Sequence, residues 1–156
     1  MTVRHGLEIR AATTADAPGL CELLGAAGHA VAPRDLAARL DALRQGPGTA
    51  LVAVEWGPPS GVVVLHRYQT LEAALPTARI TLLLVGADDR RRGIGRLLLK
   101  AAAQAARTAG CGALELAVSP DAPSLAAFCQ ATGFAETGCR YTRSLRKSAK
   151  RDDRSG

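Results

Sequence analysis

The sequence predicts a single α/β domain built as a mixed sheet with helices on both faces. Three observations lead there. Two short amphipathic helical stretches follow a first strand. Three strand-like runs then succeed one another with no helix between them. The second half alternates helix, strand, helix, strand and ends on a further strand. A length of 156 residues suits one domain with a real core.

Leu7 to Arg10 forms the first strand. Thr13 or Thr14 caps a helix with Asp16 in its first turn; Leu20, Leu23 and Leu24 recur at helical spacing, and Gly25 or Gly28 ends it. Pro33 opens a second helix, Leu36, Leu40 and Leu43 share one side of it, and Gly46-Pro47-Gly48 stops it. Thr49–Glu55 and Val62–Tyr68 read as a hairpin around the turn at 56–61. After a loop over 69–77, Ala78–Val85 is nearly continuous in apolar residues, which predicts a central strand. Gly86–Arg92 is a turn and Ile94–Thr108 a helix. Ala113–Val118 is a strand, and a helix opens at Pro123 and runs to about Ala131. Gly133-Phe134 ends that helix and starts a closing strand, and Cys139–Leu145 adds a last one.

Composition narrows the partners. Apolar residues make up 47% of the chain and charged residues 22%, as in soluble globular proteins. Aromatic residues reach only 3%, so the core is expected to be aliphatic and base stacking is disfavoured. Of the net charge of +6, residues 146–156 carry half, with five basic and two acidic side chains. The remaining excess is smaller than the charge of Arg90, Arg91, Arg92 and Arg96 together. The positive charge is thus local, and no nucleic-acid partner is expected. Residues 1–145 form the domain, and the polar stretch 146–156 is expected to be a disordered tail. Cys21, Cys111, Cys129 and Cys139 have no metal-ligand spacing and the histidines are scattered, so no metal is expected. No hydrophobic leader and no bilayer-length apolar run occur, so the expected location is cytoplasmic, with no membrane partner.

The chemistry concentrates at Arg90-Arg91-Arg92-Gly93-Ile94-Gly95-Arg96, between the apolar run ending at Val85 and the helix carrying Leu97, Leu98 and Leu99. A strand that turns through glycines into a helix N-terminus makes an anion site. The first helical N–H groups have no partner in the helix, the macrodipole adds positive charge, and Gly93 and Gly95 clear the approach. The surrounding arginines make a phosphate or pyrophosphate the expected ligand. The Rossmann fingerprint fails because Leu98 stands at its third glycine, and no Walker Gly-Lys-Ser/Thr is present.

Residues 85–98, Val85-Gly86-Ala87-Asp88-Asp89-Arg90-Arg91-Arg92-Gly93-Ile94-Gly95-Arg96-Leu97-Leu98, resemble the coenzyme A-binding motif of GNAT-family N-acetyltransferases. The opening Ile9–Ala17, the strand at Cys111–Leu116 and the helix end Phe128–Phe134 are similar to the same family, so the resemblance covers about residues 7–145. It implies a mostly antiparallel sheet with one splayed parallel pair, whose strands end near Val85 and Val118. It also implies acetyl-CoA as cosubstrate. Main-chain groups of Leu83, Leu84 and Val85 would take the pantetheine arm. The N–H groups of Arg91 through Arg96, Gly93, Ile94 and Gly95 among them, would take the diphosphate, with side chains such as Arg90, Arg91, Arg92 and Arg96 adding charge. A strand N–H near Leu83 would stabilise the thioester oxygen during transfer.

The resemblance implies N-acetylation of a primary amine. The chain departs from the family pattern at the expected proton-transfer positions. Cys129 stands where many members carry a tyrosine acid, Ala122 where an asparagine opens the helix, and Ala117 where some place a glutamate base. Glu115 lies two residues earlier on the same face. The candidates for acid and base are Cys129 and Glu72, with His66, Tyr68 and Tyr141 as acceptor-side candidates. The acceptor expected is a small-molecule amine; residues 78–81 and 136–138 are loosely similar to members labelled aminoglycoside-type. A protein N-terminus or lysine is the alternative acceptor, and a non-catalytic acyl-CoA sensor the alternative function. Pairing of the last strands between two copies would give a homodimer.

Overall fold

The computed structural model describes residues 6–90, 92–118 and 122–146. Arg91, Asp121 and residues 147–156 of the tail lie outside them, so the expectations that fall there concern residues the structure does not describe. The chain divides into two units, Met1–Val118 and Ser119–Gly156.

The first unit contains β1 (Glu8–Ala11), a 3-10 turn at Thr14–Asp16, α1 (Ala17–Ala26), α2 (Pro33–Gln45), β2 (Gly48–Val54), β3 (Gly61–Tyr68), β4 (Thr77–Val85), a second 3-10 turn at Ala87–Asp89, α3 (Ile94–Thr108) and β5 (Ala113–Leu116). Its sheet has the order β1-β2-β3-β4-β5. The first three pairings are antiparallel and β4–β5 is parallel. The expected mixed, mostly antiparallel sheet with one parallel pair is therefore present.

Strand alternation sorts the core into two layers. Ala50, Val52 and Val62 pack with Leu20, Leu36 and Leu40 of α1 and α2, with Val64, Leu82 and Leu84 against the same cluster. The alternate residues face α3: a Cβ built on Gly61 would lie 2.9 Å from Leu98 Cδ1 and 3.2 Å from Ile94 Cγ2. Val63, Leu65, Ala78 and Ile80 extend that face and are buried, as are Ile94, Leu98, Ala102 and Ala106 along the apolar stripe of α3. Helices thus cover both faces of the sheet. The entry to α1 is locked by Asp16, which takes two bonds of 2.9 Å from Arg10 and one of 2.8 Å from the Thr13 N–H. Among the described residues Asp16 is the buried charged one, and Arg10 and Thr13 supply the partners that such burial demands.

The second unit contains α4 (Pro123–Ala131). Its last turn closes by the Phe134 N–H donating to the Cys129 carbonyl at 2.9 Å, with Gly133 between them at φ 99°. The two strands expected after Gly133 do not form among the described residues; 133–146 is irregular. The physical reason lies in the segment itself. A strand needs a ladder partner and an apolar face, whereas Ala135 to Arg146 is exposed throughout and Gly138 takes φ 152°.

Candidate active site

The site grows from a mismatch in strand length. β4 and β5 pair from Thr77↔Ala113 to Ile80↔Leu116, and there the ladder stops. β5 ends at Leu116, two residues short of the expected Val118, while β4 continues to Val85. From Thr81 onward, the β4 edge turned away from β3 carries no β5 rung. A bulge sits at the same point. The β3–β4 register runs Val64↔Leu82 and then Leu65↔Ile80, leaving Thr81 as the extra residue. A bulge bends its strand and increases its twist, which suits a strand leaving its parallel neighbour. Leu83, Leu84 and Val85, all half-buried, line this open stretch. The Leu84 side chain belongs to the α1–α2 layer, so packing and an available main chain coexist there.

β4 then feeds the anion site. The Gly86 N–H donates to the Ser60 carbonyl at 2.8 Å, and the Asp89 N–H to the Gly86 carbonyl at 2.9 Å, so the turn is anchored to the β2–β3 hairpin. Gly93 adopts φ 81°, ψ 8°, a left-handed conformation that suits glycine. The first α3 bond runs from the Leu97 N–H to the Gly93 carbonyl at 3.1 Å. The N–H groups of Ile94, Gly95 and Arg96 precede the helical ladder, Gly93 has no side chain to cap the helix, and the first turn holds no acidic residue. Gly95 is an ordinary helical residue, so of the two motif glycines only Gly93 is required by its backbone angle.

The arginines divide by what they touch. Arg90 is exposed and donates from Nε to the Val85 carbonyl at 3.3 Å. Arg96 is exposed on the first turn of α3. The Arg92 side chain bonds two carboxylates, Glu55 Oε1 from Nη2 at 2.7 Å and Asp89 Oδ1 from Nη1 at 2.8 Å. Glu55 above all, and Asp89 after it, raise the Arg92 guanidinium above its ordinary value.

A second polar group closes the wedge. Tyr68 of β3, Arg79 of β4 and Glu115 of β5 lie on the face opposite α3, with Arg79 and Glu115 on one rung. Glu115 Oε1 accepts from Tyr68 Oη at 2.8 Å and from Arg79 Nε at 3.0 Å. Arg79 Nη2 lies 2.9 Å from the same oxygen, and the guanidinium stands 5.0 Å from the Tyr68 ring centre. The Tyr68 hydroxyl, with Arg79, holds the Glu115 carboxyl below its ordinary value, while Glu115 pushes the Tyr68 hydroxyl up. Sequence reasoning noticed Tyr68 and Glu115 separately and missed Arg79. Its position between the apolar Ala78 and Ile80 was the available signal. It also missed Glu55, for which no local pattern exists.

The remaining candidates stand apart. Glu72 is exposed in the β3–β4 loop. His66 is half-buried on the face of Tyr68, paired across the sheet with Gly48 and Arg79. Cys129, on α4 in the second unit, is buried, and burial pushes its thiol up. Tyr141 is 94% exposed and lies in no strand, so it does not pack as a strand residue would. All four cysteines are free. Among the described residues no cluster of three or more His, Cys, Asp or Glu could hold a metal ion, and no helix is long and apolar enough to cross a membrane.

A mostly antiparallel sheet whose one parallel ladder stops well before the end of β4, with β4 leading through a glycine turn into α3, defines an α/β class of fold that the comparisons identify. Residues 18–134 match the family model for the acetyltransferase (GNAT) family, and the chain belongs to that family, a family of acyltransferases. A putative acetyltransferase from Agrobacterium tumefaciens is 28% identical, with a TM-score of 0.80 over 88% of this chain and 99% of that one. An aminoglycoside N-acetyltransferase solved in complex with CoA is 19% identical, with a TM-score of 0.78 over 94% of this chain and 99% of that one. Glucosamine-6-phosphate N-acetyltransferase from Arabidopsis thaliana is 17% identical, with a TM-score of 0.77 over 90% and 99%. No curated protein matches the sequence.

Proposed function

We propose that the chain transfers an acetyl group from acetyl-CoA to a primary amine of a small molecule. The observation that carries this reading is the stretch of β4 beyond Ile80↔Leu116, which β5 does not pair and which leads through the Gly93 turn into the N-terminus of α3. The donor set fits coenzyme A. Main-chain groups of Leu83, Leu84 and Val85 can pair with the two amides of a pantetheine arm as an added strand would. The N–H groups of Ile94, Gly95 and Arg96 suit a diphosphate, with Arg90 and Arg96 side chains to add charge. The N–H of Arg91 and its side chain belong to the same reading, although that residue lies outside the described ones. When bound, acetyl-CoA supplies an activated thioester.

The chain's own groups would then orient the acceptor and handle its proton. The amine must be neutral to attack. Glu115 is held ionised by Tyr68 and Arg79, which makes it a weak base and a good anchor. Glu72, exposed in its loop, is the other carboxylate offered for the proton, and bulk water can take it as well. Cys129 stays a thiol at neutral pH because burial raises it, the protonation state an acid for the departing thiolate requires. Much of the acceleration is then asked of positioning. Small-molecule acceptors are supported by the aminoglycoside and glucosamine-6-phosphate enzymes among the structural neighbours.

The test is thiol release. The full chain is incubated with acetyl-CoA and a panel of aminoglycosides, amino sugars, polyamines and peptides, and free CoA is followed with a thiol reagent. Amine-dependent release from a small-molecule acceptor is expected. Release with peptides alone would move the acceptor to proteins, and tight binding without release would make the chain an acyl-CoA sensor.

A further inference from the structure

We infer that Arg92 is a positioning residue. With Glu55 and Asp89 it forms a strut that holds the turn before α3, so that the affinity for a diphosphate at Ile94, Gly95 and Arg96 is set from the end of β2. This inference rests on the acetyl-CoA reading above. Arg92 precedes Gly93, whose left-handed conformation directs the chain into α3. Its guanidinium spends one end on Glu55, just past β2, at 2.7 Å, and the other on Asp89, at the end of the 3-10 turn, at 2.8 Å. Both carboxylates are mostly covered, with 20% and 27% of their side chains exposed, so neither bond is a loose surface pair.

The two bonds do different work. The Asp89 bond staples the turn to itself across three residues. The Glu55 bond crosses 37 residues and ties the turn to the sheet. Gly86 anchors the other end of the turn through its N–H on Ser60. The turn is therefore fastened to the β2–β3 region at both ends, and the first N–H groups of α3 lie directly after the second fastening. An anion site made of main-chain donors depends on their fixed aim, which the strut supplies without touching the ligand.

A direct phosphate contact by Arg92 predicts the opposite response at Glu55. If Arg92 were a ligand, removing Glu55 would release the guanidinium toward the phosphate and tighten binding. If Arg92 is a strut, removing Glu55 loosens binding.

The experiment measures acetyl-CoA affinity by calorimetry for the wild type, Arg92→Met, Arg92→Lys, Glu55→Leu and the Arg92→Met/Glu55→Leu double variant. Melting temperatures confirm folding. Thermal shifts with S-acetyl-pantetheine, which lacks the diphosphate, serve as the readout that general damage would also move. Each single loss is expected to weaken acetyl-CoA binding about tenfold. The double variant is expected to be no weaker than either single, Arg92→Lys intermediate, and the S-acetyl-pantetheine response unchanged. Wild-type or tighter binding by Glu55→Leu overturns the strut, as does a proportional loss with S-acetyl-pantetheine. If Arg92→Met fails to fold, Arg92→Lys and Glu55→Gln decide the same question. Failure of the wild type itself to bind acetyl-CoA overturns the functional reading, and the strut with it.

Discussion

Gly93 carries the sharpest prediction, because one backbone angle links the sequence to the proposed ligand. At φ 81° a side chain is strained, by roughly 1–2 kcal/mol for an ordinary residue and more for a β-branched one. The turn can relieve that strain by moving residue 93 out of the left-handed region. Doing so rotates the peptide planes that follow and swings the Ile94 N–H away from the Gly95 and Arg96 N–H groups. A hydrogen bond to a charged group contributes about 1.5–3 kcal/mol. Losing one donor from the fan therefore weakens diphosphate binding by about tenfold to a hundredfold. Gly93→Val is expected to lose acetyl-CoA affinity in that range while its melting temperature drops only a few degrees, since α3 keeps its buried stripe. Gly93→Asn, which tolerates the left-handed region, is expected to retain most of the affinity. Titration calorimetry with acetyl-CoA, paired with scanning calorimetry of the free proteins, reads both quantities. Equal affinities for wild type, Gly93→Asn and Gly93→Val would show that the ligand does not rest on this turn.

Three further outcomes follow from the fold. Gly61→Ala places a methyl 2.9 Å from Leu98 Cδ1 and 3.0 Å from the Leu84 carbonyl oxygen, so urea unfolding is expected to show a loss of about 1–3 kcal/mol. Asp16 is held below its ordinary value first by Arg10, against burial, with the Thr13 N–H assisting. Its contribution is thus present above the unfolded carboxyl value of 3.8 and is lost as pH falls through the lower folded value. Asp16→Asn should remove that acid limb from the stability profile, and an unchanged limb would assign it to other groups. Cys129→Ala is expected to lower turnover only severalfold, because binding and orientation supply most of the acceleration; a drop of several orders of magnitude in steady-state rate would make the thiol an essential acid.

The parts of the fold that were legible are those punctuated by proline and glycine. α3 spans Ile94–Thr108 and α4 ends at Ala131, as the pattern of Gly93, Gly110, Pro123 and Gly133 predicts. The five strands of the sheet were legible from their apolar runs, with ends shifted by a residue or two. The closing strands were not, because a segment such as Cys139–Leu145 has strand-compatible residues but no pairing partner among the described ones. Strand formation is a property of two segments, and a single sequence displays only one at a time. The main-chain half of the site was readable for the same reason as α3: Gly93 is a residue type chosen by a backbone angle. The partners of Arg92 were not readable. A run of arginines says that charge is present, and only the fold brings Glu55 to it.

The same distinction explains why the proposed acyl carrier leaves a trace in the sequence and an acceptor does not. Carrier recognition as proposed uses peptide groups, whose chemistry is identical at every residue, so the sequence records it only through glycines and strand-to-helix punctuation. Recognition of an acceptor would use side chains, and a well-formed polar group among the described residues that could serve is Tyr68–Arg79–Glu115, drawn from three strands near the point where the β4–β5 ladder stops. Tyr68 and Arg79 both donate to Glu115 Oε1, and Arg79 Nη2 also lies 3.1 Å from Tyr68 Oη, which leaves the cluster internally matched in charge yet nearly half exposed, with 46% of the Glu115 side chain open to solvent. Such a group selects by geometry more than by net charge. Removing the Tyr68 hydroxyl alone, by Tyr68→Phe, takes away the donor to Glu115 and the acceptor for Arg79 and leaves the ion pair intact. Discrimination among amines that change with Tyr68→Phe at constant acetyl-CoA affinity would place the acceptor on this face, and an unchanged amine profile would move it elsewhere.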